Sequence, residues 1–270
     1  MRSRRSQAAN RKGGKNTLRV GSASFYDDPE PVAFSDRKEP MTVPTRWVNF
    51  VIGIFLVPIA VIWTQTFFTI FSRETLHHGF WATEEFWFFT LGAVLWVITF
   101  FGLPRPVVVY VFGHELTHAI WVWFMGGRVT QFKVGREGGH IMTDKQNVWI
   151  SLAPYFYPIY SVLVVVLYGI AALFRDVSPY TCWLFAALGI TWAFHVSFTL
   201  WMIPKGQTDL SYHGTFFSLV VIYLMNIILL TALVLVASPR TTFGGFALEL
   251  FYNTKAFADW VVLHAPQLHG

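Results

Sequence analysis

Six apolar runs, at about residues 47–71, 86–101, 106–125, 148–174, 180–203 and 215–237, decide most of what this chain can become. About 20 apolar residues in a helix rise about 30 Å, the thickness of a bilayer's hydrocarbon core. Lipid offers no partner to a backbone N–H or C=O, so runs of this kind are stable only as helices packed together. Composition agrees: 54% of the residues are hydrophobic and 13% charged, and 27 Phe with 12 Trp suit lipid-facing and interfacial surfaces. The expected fold is an all-α integral membrane protein with about six transmembrane helices.

Apart from Glu115, the charged residues Asp, Glu, Lys and Arg lie at the ends and breaks of this pattern. Residues 1–46 hold ten Lys and Arg against five Asp and Glu, while the rest of the chain has ten of each, so the net charge of +5 belongs to one tail. A basic flank before a first span is what the positive-inside rule places in the cytoplasm, and it argues against a nucleic-acid partner. The tail lacks apolar periodicity and reads as disordered. Residues 47–237 form the membrane-embedded unit, and residues 238–270 read as a C-terminal tail with one moderately apolar segment suited to the interface.

One run carries what the others exclude. Residues 106–125 include His114, Glu115 and His118 near the middle of a segment long enough to span. Ionisable groups at that depth are costly and are kept where they face a protected polar site. His114 and His118 lie one helical turn apart and about 40° around the axis, so both imidazoles can reach one ion. Glu115 is displaced by about 100°, placed to act on a water at that ion without having to ligate it. This is the His-Glu-x-x-His arrangement of zinc hydrolases, two ligands and a general base. In a chain of this composition the pattern arises by chance on the order of one time in a hundred, which makes coincidence a poor account. The single cysteine, Cys182, excludes a thiolate cluster, so any metal is held by His and carboxylate.

The breaks supply the remaining candidates. Gly126-Gly127 ends the motif helix, and Arg128 to Asp144 alternates polar and apolar residues around Gly138-Gly139, which predicts a short β-hairpin. It is either a surface hairpin or a sheet edge that pairs with an extended substrate. Pro154 and Pro158 are expected to bend the start of the next span. His140 in the hairpin, His195 in the fifth run and His213 after it could each ligate or merely pack. Asp209, in the polar break from Pro204 to Gly214, could equally be a helix N-cap or a metal ligand.

Three of these blocks occur in an order that carries a resemblance: Gly113-His114-Glu115-Leu116-Thr117-His118, then Ile150-Ser151-Leu152-Ala153-Pro154, then Pro204 to Asp209. Over residues 106–237 the chain resembles the site-2 protease family of intramembrane zinc metalloproteases. The resemblance implies Zn²⁺ on His114, His118 and Asp209, with His195, His213 and His140 as the other candidates for the third ligand. It implies Glu115 as catalytic base and a membrane-protein substrate cut within or beside its span in the lipid bilayer. The chain departs from the family in the third block: Leu210 follows Asp209 where Gly is expected, a second proline is missing, and Trp201 stands where Asn is expected. These departures keep a second expectation alive, a non-proteolytic zinc-binding membrane scaffold or chaperone. A di-iron oxygenase is disfavoured, since no His-x-x-His-His cluster accompanies His114 and His118.

Overall fold

The computed structural model describes residues 18–20, 45–77, 79–237 and 241–264. In chain order the elements are β1 (Leu18–Val20), α1 (Thr45–His77), α2 (Glu84–Gly102), α3 (Val107–Phe124), β2 (Val129–Gly135), β3 (Gly138–Thr143), α4 (Val148–Leu152), α5 (Ile159–Ala172), α6 (Thr181–Met202), α7 (Thr208–His213), α8 (Thr215–Ala237) and α9 (Phe243–His264). Five helices, α1, α2, α3, α6 and α8, are long and apolar enough to cross a membrane. The segment from Val148 to Ala172 makes a sixth candidate, bent by 80° between its two parts. This is the pattern of a multi-pass membrane protein. Large apolar side chains such as Phe55, Leu91, Ile98 and Phe124 are exposed along these helices, a surface that would be untenable in water.

The bend has the cause read from sequence. Pro158 has no N–H to donate to the carbonyl four residues back, and the chain passes from a 3-10 turn at Ala153–Tyr155 into α5 with Pro158 at the cap. Pro58, by contrast, is contained within the unbroken helix α1.

The helices form two groups. In one, α2 packs along α6, and α5 also packs on α6. At the α2–α6 crossing, Gly92 and Gly189 bring the backbones into contact, and a Cβ on either would overlap the carbonyl oxygen of Ala186 or Phe89. In the other, α1 packs on α8 and on α9. Helix α9, which covers much of the C-terminal tail, is tied to α1 by Asn253 Nδ2 donating to Thr66 Oγ1 at 3.0 Å and by an Arg73–Glu249 ion pair at 2.9 Å.

Helix α3 is contacted by the sheet, α4, the 3-10 turn and α5. Half of it is buried, against 17–28% for the other single-helix spans, so it is the most shielded of the five. Gly126, at φ 71°, ends it and releases the chain into the hairpin.

The hairpin β2–β3 forms where the alternation predicted it, and the structure adds a strand. The sheet has three strands in the order β1-β3-β2, all antiparallel neighbours. Residues 18–20 lie in the tail expected to be disordered, and for these three residues that expectation is corrected. Pairing with β3 supplies backbone partners that local sequence does not encode. The rest of residues 1–44, and residues 238–240 and 265–270 of the C-terminal tail, lie outside the described residues.

Candidate metal centre

Helix α3 places its motif as the spacing requires. His114, Glu115 and His118 are all buried, with Glu115 and His118 at 0% exposure. The Nε2 atoms of His114 and His118 are 3.2 Å apart. Asp209 Oδ2 approaches them at 3.4 Å and 3.5 Å. Two donors at about 2.0–2.1 Å from one tetrahedral ion are separated by about 3.3–3.4 Å, and all three edges of this triangle agree with that value. The group could hold a metal ion.

The outer partners say which ring atoms face the centre. His118 Nδ1 lies 2.7 Å from the Ile150 carbonyl, which can only accept, so Nδ1 carries the hydrogen and Nε2 presents a lone pair. On the other ring Nδ1 of His114 meets the Tyr110 hydroxyl at 3.3 Å, and donation from Nδ1 leaves that Nε2 bare as well. Tyr155 O–H donates to Asp209 Oδ2 at 3.2 Å. With His114 in that tautomer, lone pairs from two imidazoles and a carboxylate converge in a buried space. Such a set repels itself unless a cation sits between its members.

Asp209 reaches this position from a different part of the fold. It lies in the break between the spans α6 and α8, on the six-residue helix α7, where the N-cap is Gln207. Asp209 is therefore a residue of the first turn and not the cap. Helix α7 is too short to place itself. Leu210 is packed among Leu152, Tyr155, Phe156, Phe217 and Val221. Ser218 Oγ donates to the Leu210 carbonyl at 3.0 Å and Asn49 Nδ2 to the His213 carbonyl at 2.9 Å, satisfying acceptors that a helix C-terminus leaves open.

Glu115 is not one of the three converging residues. Its side chain passes against β3 at Gly139, where an added Cβ would lie 2.7 Å from Glu115 Cγ. Only glycine leaves room for the glutamate there.

Among the described residues no other histidine joins the cluster. His140 is half-buried on β3, opposite Lys133. His213 bonds Ser151 Oγ through Nε2 at 3.2 Å. His195 on α6 is buried and lines a cavity of about 20 Å³ beside His114, with room for one water. Cys182 is distant in role as well as chemistry, with its thiol 3.6 Å from Glu84 Oε2 at the N-terminal ends of α2 and α6. Trp201, in place of the asparagine expected from the resemblance, lies beneath the Lys205 ammonium at 3.2 Å and the Arg105 guanidinium at 5.1 Å. Tyr110, Tyr155 and the Ile150 carbonyl went unread in the sequence. Tyr155 could have been suspected, since it directly follows the Ser-Leu-Ala-Pro block.

Comparison with models of known protein families, with curated proteins and with solved structures finds no match to this chain.

Proposed function

We propose that the protein is an intramembrane zinc endopeptidase of the kind the three sequence blocks resemble. The observation that carries this reading is the buried triangle of His114, His118 and Asp209, with Glu115 on the next position of the same helix. Two imidazoles and one carboxylate oxygen suit a catalytic zinc, which takes three protein ligands and leaves a fourth position open. Held by His114, His118 and Asp209, a zinc ion would supply Lewis acidity towards a water and the scissile carbonyl. Glu115 accepts a proton from that water as its oxygen adds to the carbonyl carbon, then delivers the proton to the amide nitrogen as the C–N bond breaks. Burial of Glu115 excludes competing solvent.

The substrate class belongs to the same proposal. Two of the three converging residues lie on α3, a helix long and apolar enough to span; the substrates of this reading are membrane segments or their borders, in which a helix must open locally before its peptide bond is exposed.

The decisive experiment is Glu115→Gln in protein reconstituted into liposomes with a panel of single-span substrates. Cleavage is expected to fall by about 10²–10⁴-fold with metal content unchanged, since only the proton acceptor is lost. Wild-type cleavage by the variant with metal still bound would end the proposal. The second reading, a zinc-binding scaffold without turnover, is favoured by Trp201, which leaves no carboxamide at a position where the family has one. It predicts that wild-type protein binds zinc and cleaves none of the panel.

A further inference from the structure

The central strand of the sheet runs beside the centre with one of its edges already taken. Strand β3 begins at Gly138–Gly139, against Glu115, and continues through Ile141, which packs with Ala119 and Val122 of α3 and with Ile150, the residue whose carbonyl holds His118. Its first edge pairs with β2 through the hairpin. Its second edge pairs with the chain's own residues 18–20, in the register Leu18 with Thr143, Arg19 with Met142 and Val20 with Ile141. The direction of β1 matters. Going from Leu18 to Val20 the strand advances from Thr143 towards Gly139, and hence towards Glu115.

A peptide bond can be hydrolysed only when its carbonyl is not shielded within a helix. An extended segment has unpaired N–H and C=O groups, and the edge of a strand satisfies them while fixing the segment's direction. The β3 edge is such a surface, it leads to the general base, and an extended piece of polypeptide lies on it. We propose that the β3 edge at Ile141–Thr143 is where an extended substrate segment pairs, and that Leu18–Val20 occupies that edge in the resting protein as an intramolecular competitor. This rests on the endopeptidase reading. A strand of three residues is marginal on its own. Covalent attachment gives it an effective concentration that an incoming segment must exceed, so the tail sets a threshold for substrates without blocking the site permanently.

The test locks the strand in place. In a Cys182→Ser background carrying Glu115→Gln, the pair Arg19→Cys and Met142→Cys sits at opposed positions of an antiparallel ladder, within reach of a disulfide. The probe is a fluorescein-labelled peptide copying residues 15–23 of this chain, followed by polarisation in detergent. Locked protein is expected not to bind it, and reduction with a phosphine, or removal of residues 1–20, is expected to tighten binding at least 10-fold. Equal binding by locked and reduced protein, or failure of the disulfide to form, overturns the proposal.

The same pair with Glu115 intact gives the second readout. Locking is expected to lower cleavage of a single-span substrate at least 10-fold, reversibly, and removal of residues 1–20 to lower KM while leaving kcat unchanged. If every form cleaves equally, the strand surface is wrong and the endopeptidase reading survives. If no form cleaves while the peptide still binds only on unlocking, the surface stands and the endopeptidase reading falls.

Discussion

Helix α3 and helix α7 each contribute to the candidate metal centre, and they do so by opposite means. On α3 the relation between His114 and His118 is set by the helical repeat, and any helix carrying that spacing would bring the two rings onto one face. On α7 nothing local fixes Asp209. The helix has six residues, its N-cap Gln207 makes no side-chain capping bond, and Gly206 and Gly214 flank it with φ values of 75° and 94°. Its place comes from Leu210 in the core, from Ser218 and Asn49 on its carbonyls, and from Tyr155 on the carboxylate. A ligand pair built into a helix is rigid from the start, whereas a ligand delivered by a short bridge depends on everything that holds the bridge.

The contrast can be broken or sharpened by substitution. The largest effect is expected for His118→Ala, which removes a donor from the rigid pair. Metal affinity should fall by about 10³-fold or more in competition with a chelator, and Asp209→Ala should cost somewhat less, about 10²-fold. Full metal retention by Asp209→Ala would remove α7 from the centre. Tyr155→Phe deletes only the hydroxyl on Asp209 Oδ2 and should weaken metal binding about 10-fold, in the range of lost outer partners. Gly206→Ala tests the bridge alone. An added Cβ there would touch nothing within 4 Å, so the expected loss is the left-handed strain of about 1 kcal/mol, read as a small drop in thermal stability in detergent.

What could be read from the sequence follows the same division. The spans, the bend near Pro154 and Pro158, the hairpin and the His114–Glu115–His118 face depend on local period and local stereochemistry, and all of them were legible. Asp209 was legible only as a polar residue in a break, because its role is fixed by contacts with residues 54 and 95 positions away in the chain. The same holds for the Ile150 carbonyl, since a backbone acceptor leaves no mark on residue type. Strand β1 was missed for a related reason. Leu18–Val20 has no alternation long enough to announce a strand, and its pairing with β3 is a property of the partner. The Gly92–Gly189 crossing was hidden among ordinary glycines of apolar runs, where only the facing backbone reveals why a side chain is absent.

The bent segment from Val148 to Ala172 touches both halves of the centre at once. Its Ile150 carbonyl orients His118 on α3, its Tyr155 hydroxyl holds Asp209 on α7, and its Ser151 hydroxyl meets His213 at the end of the same short helix. An ion bound at this group would consequently be linked to the shape of the segment, and the coupling would be reciprocal. Whatever free energy an ion gains from finding the segment bent, the bend gains from the ion. Chelation should therefore speed amide hydrogen exchange at residues 148–158 more than in α2 or α6, and a ligand that straightens the segment should expel the ion without ever approaching it.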